Sequence, residues 1–209
     1  MMRQRMYVLG LAVMLLLSGC ASAPMHYYTL VPPAGSAADI TSAAANPGAV
    51  SLPFELLPVS VPAQVDQPQL LVRQGGQGVV LLNDRRWIAP LGDEVRSALA
   101  VDLARALGSQ DVSGLPGGDK PRLRVKLDLR RFDSQAGHYA LMEGAWSVRA
   151  MHVQHGGVLA CTSRIREAVG PGYDALVQGH QRAIGVLAGQ IAAVARRLAA
   201  GQAAACPPR

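Results

Sequence analysis

Residues 122–130, RLRVKLDLR, constrain the fold more tightly than any other stretch of the chain. Leu123, Val125, Leu127 and Leu129 alternate with Arg122, Arg124, Lys126, Asp128 and Arg130. Successive side chains of a strand point to opposite faces, so this pattern demands a strand with one buried and one wet, mostly basic face. Such a strand belongs in a sheet that is covered on one side only.

The cover is legible further along. From Leu91, Leu-Gly-Asp-Glu-Val-Arg-Ser-Ala-Leu-Ala places Leu91, Val95, Ala98, Leu99, Leu103, Ala106 and Leu107 on one helical face. Pro90 and Gly108 punctuate its ends, and Asp93 and Glu94 lie in the first turn, where the helix dipole favours carboxylates. A second, longer helix is predicted from about Tyr173 to Ala199, with Val177, His180, Ile184, Leu187, Ile191, Val194 and Leu198 on its apolar stripe. Gly179, Gly185, Gly189 and many Ala on that helix suit close packing against a sheet or the first helix.

Two further strands are expected in HYALMEGAWSVRAMHV and VLACTSRIREAV, joined at Gly156-Gly157. QLLVRQ and VVLLND flank Gly75-Gly76-Gln77-Gly78, which reads as a hairpin turn; a phosphate-cradling loop would have to open a helix, and apolar Val79-Val80-Leu81-Leu82 follows instead. Pro53 and Pro58 push VSLPFELLPVSVP to a sheet edge. Tyr27-Tyr28-Thr29-Leu30 reads as a short edge strand. Residues 32–49 hold small residues, Pro and Gly, and read as a linker. The expected fold is therefore α+β, an antiparallel-rich sheet with two helices packed on one face, preceded by a signal peptide and a flexible tether.

The compartment follows from the N-terminus. Arg3 and Arg5 precede an apolar run from Tyr7 to Leu17, which is too short to span a bilayer stably. It ends in Leu17-Ser18-Gly19-Cys20, the form of a bacterial lipobox: small residues at 18 and 19 admit the peptidase, and the Cys20 thiol takes the diacylglycerol. Covalent N-acyl diacylglycerol on Cys20 is the one expected added group; no cofactor or metal is expected. Each buried acyl CH2 contributes roughly 0.8 kcal/mol, so three chains would hold the protein on a membrane. Ala21, in a position where Asp resembles an inner-membrane retention signal, leans toward the outer membrane. The boundaries read as signal peptide 1–19, lipidated N-terminus and linker 20–49, folded domain 50–200 and loose tail 201–209.

The net charge of the 209 residues is +6. A basic chain raises nucleic acid as a partner, but export removes that option and leaves anionic lipid or an acidic protein surface. With Cys20 acylated, Cys161 and Cys206 remain in an oxidising compartment. Neither their spacing nor their context fixes a geometry, so a bridge stays open and two separate thiols are favoured.

Catalytic chemistry is not visible. There is no G-x-S-x-G and no C-x-x-C. His152 and His155, three steps apart on an expected strand, fall on opposite faces and make a poor metal pair. His180 reads as a core or helix-interface histidine. Asp102 and Glu143 stand in no recognisable catalytic arrangement, and Trp87 and Trp146 read as buried anchors. The chain is expected not to be an enzyme.

The lipobox, then YYTL, VSVPAQVDQPQLLVR, RRWIAPLGDEVRSALAVDLARAL, a strand ending in RRF, EGAW and GYDALV, in this order and spacing, resemble the PqiC/YmbA family. These are auxiliary lipoproteins of ABC-type and MCE-type transport systems. The resemblance implies a lipoprotein anchored in the outer membrane and facing the periplasm. It further implies a docking role in phospholipid transport between the membranes that supports membrane integrity. Its implied partners are an MCE-domain tunnel protein and that protein's inner-membrane component; a homo-oligomer is left open. Cys20 carries over as the lipidation site, and Tyr28, Trp87, Pro90, Phe132, Trp146 and Tyr173 match family positions as structural anchors. Two alternatives stand beside docking: a lipid carrier with its own apolar pocket, and an assembly chaperone for an outer-membrane protein.

The residues that docking would use are Arg122, Arg124, Lys126 and Arg130, extended by Arg164 and Arg166 if their strand lies in suitable register. The plain alternative is a solvated sheet face.

Overall fold

The computed structural model describes residues 24–33, 52–116 and 118–208. The alternating run forms the centre of β5 (Arg122–Gln135), which is longer than its alternation suggested. Its inward Leu123, Val125, Leu127 and Leu129 are buried. The register against β6 (Tyr139–Met151) slips between Leu129 and Arg131. Two polar residues, Arg130 and Arg131, therefore separate buried Leu129 from buried Phe132. The bulge exchanges the parity of the strand, so beyond it Phe132 and Ser134 face the helices.

The main sheet has the order β2-β5-β6-β7, with β2 (Phe54–Leu56) parallel to β5 and β7 (Val158–Ala168) antiparallel to β6. A single sheet was expected. The structure has a second, three-stranded one in the order β1-β4-β3. It is made of β1 (His26–Tyr28), β4 (Val79–Trp87) and β3 (Gln69–Arg73), with β1 parallel to β4 and the β3–β4 hairpin turning at Gly75 and Gly76, both with positive φ. The alternation inside each segment could not reveal the split, because pairing partners lie far apart in sequence. Arg73 joins the sheets, donating from Nε and a terminal nitrogen to the two Asp133 oxygens on β5, each at 3.1 Å. Trp87 adds an edge-on contact to Phe132 at 6.2 Å between ring centres.

α1 (Leu91–Leu107) and α2 (Tyr173–Ala199) cover one side of the main sheet in a shared core. α2 lies against β6 and β7, and α1 packs on α2. The glycines of α2 have distinct neighbours. A Cβ at Gly179 would come within 2.2 Å of Val169 Cγ1, and one at Gly185 within 3.6 Å of the Asp102 carboxylate on α1. Gly179 thus permits the close approach of helix to sheet.

The short edge strand β2 is not left open. The Phe54 N–H donates to the Gln110 carbonyl and its carbonyl accepts from Val112, while the Ser113 hydroxyl donates to the Leu56 carbonyl. At the other edge, Cys161 of β7 and Cys206 are joined in a disulfide, contrary to the two separate thiols favoured from sequence. The tail was expected to be loose. The bridge fastens it beside β7, with Arg197 donating to the Ala203 carbonyl. This proximity arises because α2 returns the chain to the edge strand, a tertiary fact invisible in cysteine spacing.

His152 and His155 are not on a strand. Both lie in the β6–β7 turn with positive φ, 54° and 58°. Cys20 and the signal segment lie outside the described residues.

Candidate docking face

The side of the main sheet opposite the helices collects the even-numbered residues of β5 up to the bulge and their register partners. Arg124 stands opposite Arg149 on β6; Lys126 lines up with Ser147 and then Ala160 on β7; Asp128 lines up with Ala145 and Thr162. The middle of this face is thus made of small side chains, with Lys126, Asp128 and Arg130 along one bank. A shallow groove of about 530 Å³ lies over it.

The six cations anticipated for this surface differ in what they do. Arg122 is largely covered, lies 3.5 Å from the Glu55 carboxylate and donates to the Gly118 and Lys120 carbonyls. Arg124 donates to the same Glu55 at 3.0 Å. Arg164 pairs with Glu143 across the β6–β7 ladder. Arg166 lies over the Tyr139 ring, 3.8 Å from its centre. Lys126 and Arg130 are exposed, and no ion pair engages them among the described residues. Arg149, exposed between Val148 and Ala150, extends the row and was not anticipated; the alternation of β6 carries that signal.

The residues expected as structural anchors are built into the fold at separate places, and one of them lies under the groove. Trp146 donates from its indole to Ser163 at 2.8 Å, and Ser163 donates to Gln190 of α2 at 2.6 Å. This chain ties β6, β7 and α2 together beneath the groove. Tyr28 pairs in register with Trp87, Pro90 caps α1, and Tyr173 opens α2 with Arg85 over its ring at 4.5 Å. Phe132 stacks on His180 at 3.8 Å.

Two ionisable groups are strongly shaped by burial. Burial alone would raise the Asp133 carboxyl, but hydrogen bonds from Arg73 and Arg131 outweigh it and hold the group below the usual carboxylate range. His180 is enclosed, with Ser134 Oγ at 2.8 Å from Nε2 and, among the described residues, no partner on Nδ1; desolvation lowers its pKa to about 3. It is therefore a neutral core residue at ordinary pH.

A second concavity, about 940 Å³, lies between α1 and α2 beside Tyr28, Pro32 and Pro33. Val177, Gly185 and Val186 give it an apolar floor, and Asp102, Arg105 and Asp174 stand on its walls.

The arrangement is that of a small α+β domain whose charged sheet face carries no covering element among the described residues. Among the described residues no group of His, Cys, Asp and Glu is placed to hold a metal ion, and no helix is long and apolar enough to cross a membrane. The chain belongs to the family of ABC-type transport auxiliary lipoprotein components, whose profile matches residues 28–192. The resemblance read from the ordered sequence pieces is thereby borne out. The fold is similar to the crystal structure of an uncharacterized protein, with TM-score 0.61 and 18% identity over 82% of this chain and 98% of that one. It is also similar to protein XCC0632 from Xanthomonas campestris, assigned to DUF330, with TM-score 0.51 and 17% identity over 82% of this chain and 91% of that one. No curated protein matches the chain.

Proposed function

We propose that this protein is a non-catalytic docking subunit of an MCE-type phospholipid transport system. It is held on the periplasmic side of the outer membrane by acyl chains on Cys20 and contributes to membrane integrity through its partners. Membership of the auxiliary lipoprotein family supports the transport role. The observation that carries docking is the uncovered sheet face, where exposed Lys126 and Arg130 border a groove floored by small residues. Cations along one bank of a shallow basin attract an acidic protein rim and speed its arrival, an effect that salt screens beyond about 8–10 Å.

The test has two arms. Cys20→Ala moves the protein from the membrane fraction to the soluble one; retention in the outer membrane with unchanged processing overturns the anchor. In the second arm, the full chain co-purifies with an MCE-domain protein, and Lys126→Glu with Arg130→Glu slows that association in low salt. Unchanged association kinetics returns the face to solvent.

The groove between α1 and α2 favours a second reading, direct carriage of lipid, because its volume is of the order a ligand site needs. Phospholipid extracted in stoichiometric amount with the purified full chain would favour this reading over docking.

A further inference from the structure

The two edges of the main sheet are treated differently. The β2 edge is closed by residues 110–113, as described above. The β7 edge is long, and β7 pairs with β6 in one-to-one register from Val158 to Ala168 with no bulge. Natural sheets usually shorten, bulge or cover such an edge.

The direction of each backbone group on β7 can be read from three contacts. Ala150 N–H donates to the Gly157 carbonyl, so the odd-numbered residues turn their N–H and C=O toward β6. The even-numbered ones turn outward. In agreement, the Ala160 carbonyl lies 3.4 Å from Cys206 Sγ, and the Ala168 carbonyl accepts from Arg182 at 3.0 Å. These two contacts close the ends of the edge. Between them the N–H and C=O groups of Thr162, Arg164 and Arg166 have no backbone partner among the described residues. They are three donors and three acceptors in the spacing of a strand.

The surroundings of that window are two-sided. The side chains of Thr162, Arg164 and Arg166 lie on the exposed sheet face. On the helix side, Val186, Gly189 and Ala193 of α2 form a shelf beside a hollow of about 440 Å³ that reaches Pro207 of the fastened tail. Val186 is 45% exposed, and nothing lies within 4 Å of a Cβ built on Gly189.

We propose that the free edge of β7 accepts an extended segment of a partner protein as an added strand, with acidic side chains alternating with small apolar ones. The acidic side chains would lie beside Thr162, Arg164 and Arg166, and the apolar ones on the Val186–Gly189–Ala193 shelf. Backbone pairing supplies the attachment and the two faces supply the choice of sequence. A second copy of this chain is the wrong occupant. Antiparallel pairing about Arg164 would set Arg164 against its own copy, and directly opposed like charges destabilise a ladder. The chain's residues 34–51 carry one carboxylate, Asp39, and lack the alternation. The proposal rests on the docking reading and adds where the contact forms and what it recognises.

The experiment uses the full acylated chain in detergent micelles and a nine-residue peptide alternating Glu and Val. Hydrogen exchange is expected to slow at Thr162, Arg164 and Arg166. Replacing every Glu of the peptide by Lys is expected to weaken binding about tenfold. Pairing uses the amides of one alternate set only, Glu in an antiparallel added strand and Val in a parallel one, so N-methylation of one set should abolish binding and N-methylation of the other should leave it. Equal loss in both methylated series, or protection confined to the Lys126 and Arg130 region, overturns edge pairing. So does peptide-independent protection of the three amides that grows with protein concentration, which assigns the edge to a second copy. Co-purification with the transport complex judges the docking reading separately, since it can persist when the peptide fails.

Discussion

The backbone N–H of Leu30 donates to the carboxylate of Glu94 at 2.7 Å, and the neighbouring Thr29 hydroxyl donates to the same oxygen at 2.8 Å. Glu94 is 4% exposed and Leu30 is fully buried. A carboxylate in the first turn of α1, read from sequence only as a partner of the helix dipole, is thus the clamp on the N-terminal segment. Glu94→Ala leaves the Leu30 N–H buried and unpaired, which costs about 1–3 kcal/mol. Glu94→Gln keeps an acceptor and should cost less. Urea unfolding of both variants checks the order, and limited proteolysis should cut near residues 24–33 faster in the alanine variant. Equal stability of the two variants would sink the clamp.

Removing the Cys161–Cys206 bridge frees a loop spanning 45 residues. The chain-entropy relation for such a loop gives a loss of about 3–4 kcal/mol. Cys206→Ser should therefore lower the thermal midpoint, and adding reductant should lower the wild type to a similar value while leaving the variant unchanged. A reductant effect that survives in Cys206→Ser would place the stabilising bond elsewhere.

His180 gives the protein an acid-sensitive core. Its folded-state pKa of about 3 lies below the ordinary 6.5, so the unfolded chain binds the proton first as pH falls. Its neutral burial is fully compatible with folding above pH 6.5 and opposes folding progressively below it, by about 1.4 kcal/mol per pH unit until the folded value is reached. Asp133, held low by its arginines, adds a further loss only below the ordinary carboxylate value. Chemical unfolding at a series of pH values between 6.5 and 4 should show the slope, and His180→Met should flatten it. An unchanged slope in that variant would assign the acid sensitivity to other groups.

The row of cations on the open face should divide on mutation. Arg124→Glu sets a new carboxylate against Glu55 and is expected to cost about 1 kcal/mol, since the pair it replaces is partly exposed. Lys126 and Arg130 have no ion pair among the described residues, so Lys126→Glu and Arg130→Glu should stay within about 0.5 kcal/mol. Thermal midpoints of the three single variants distinguish these outcomes; three equal values would mean that the Glu55 contact contributes nothing.

Much of this architecture is legible before folding is considered, and the reason is periodicity. The α2 stripe from Val177 to Leu198 and the β5 row from Leu123 to Leu129 are buried as their spacing requires. What stays hidden is long-range. The separation into two sheets depends on β1 reaching β4 and β2 reaching β5, and no local pattern encodes either pairing. Arg122 and Arg124 look identical to Lys126 in the alternation, yet Glu55, 69 residues before Arg124, engages the first two. The expected strand runs on past Met151 because no turn signal precedes Gly156; the left-handed conformations of His152 and His155 that end it are a backbone property the side-chain pattern does not announce.

The inclusion of β1 in the folded body sets a distance. On the proposed acylation of Cys20, the anchor would stand six residues before β1 at His26, and six residues of even fully extended chain reach only about 20 Å. Leu30, locked behind Glu94, prevents slack from being drawn out of the body. Residues 34–51, however long, run between β1 and β2 and add nothing to this leash. The domain would therefore patrol a thin layer at the membrane surface, hardly thicker than itself. A partner crossing from the opposite membrane would have to come nearly all the way to meet it.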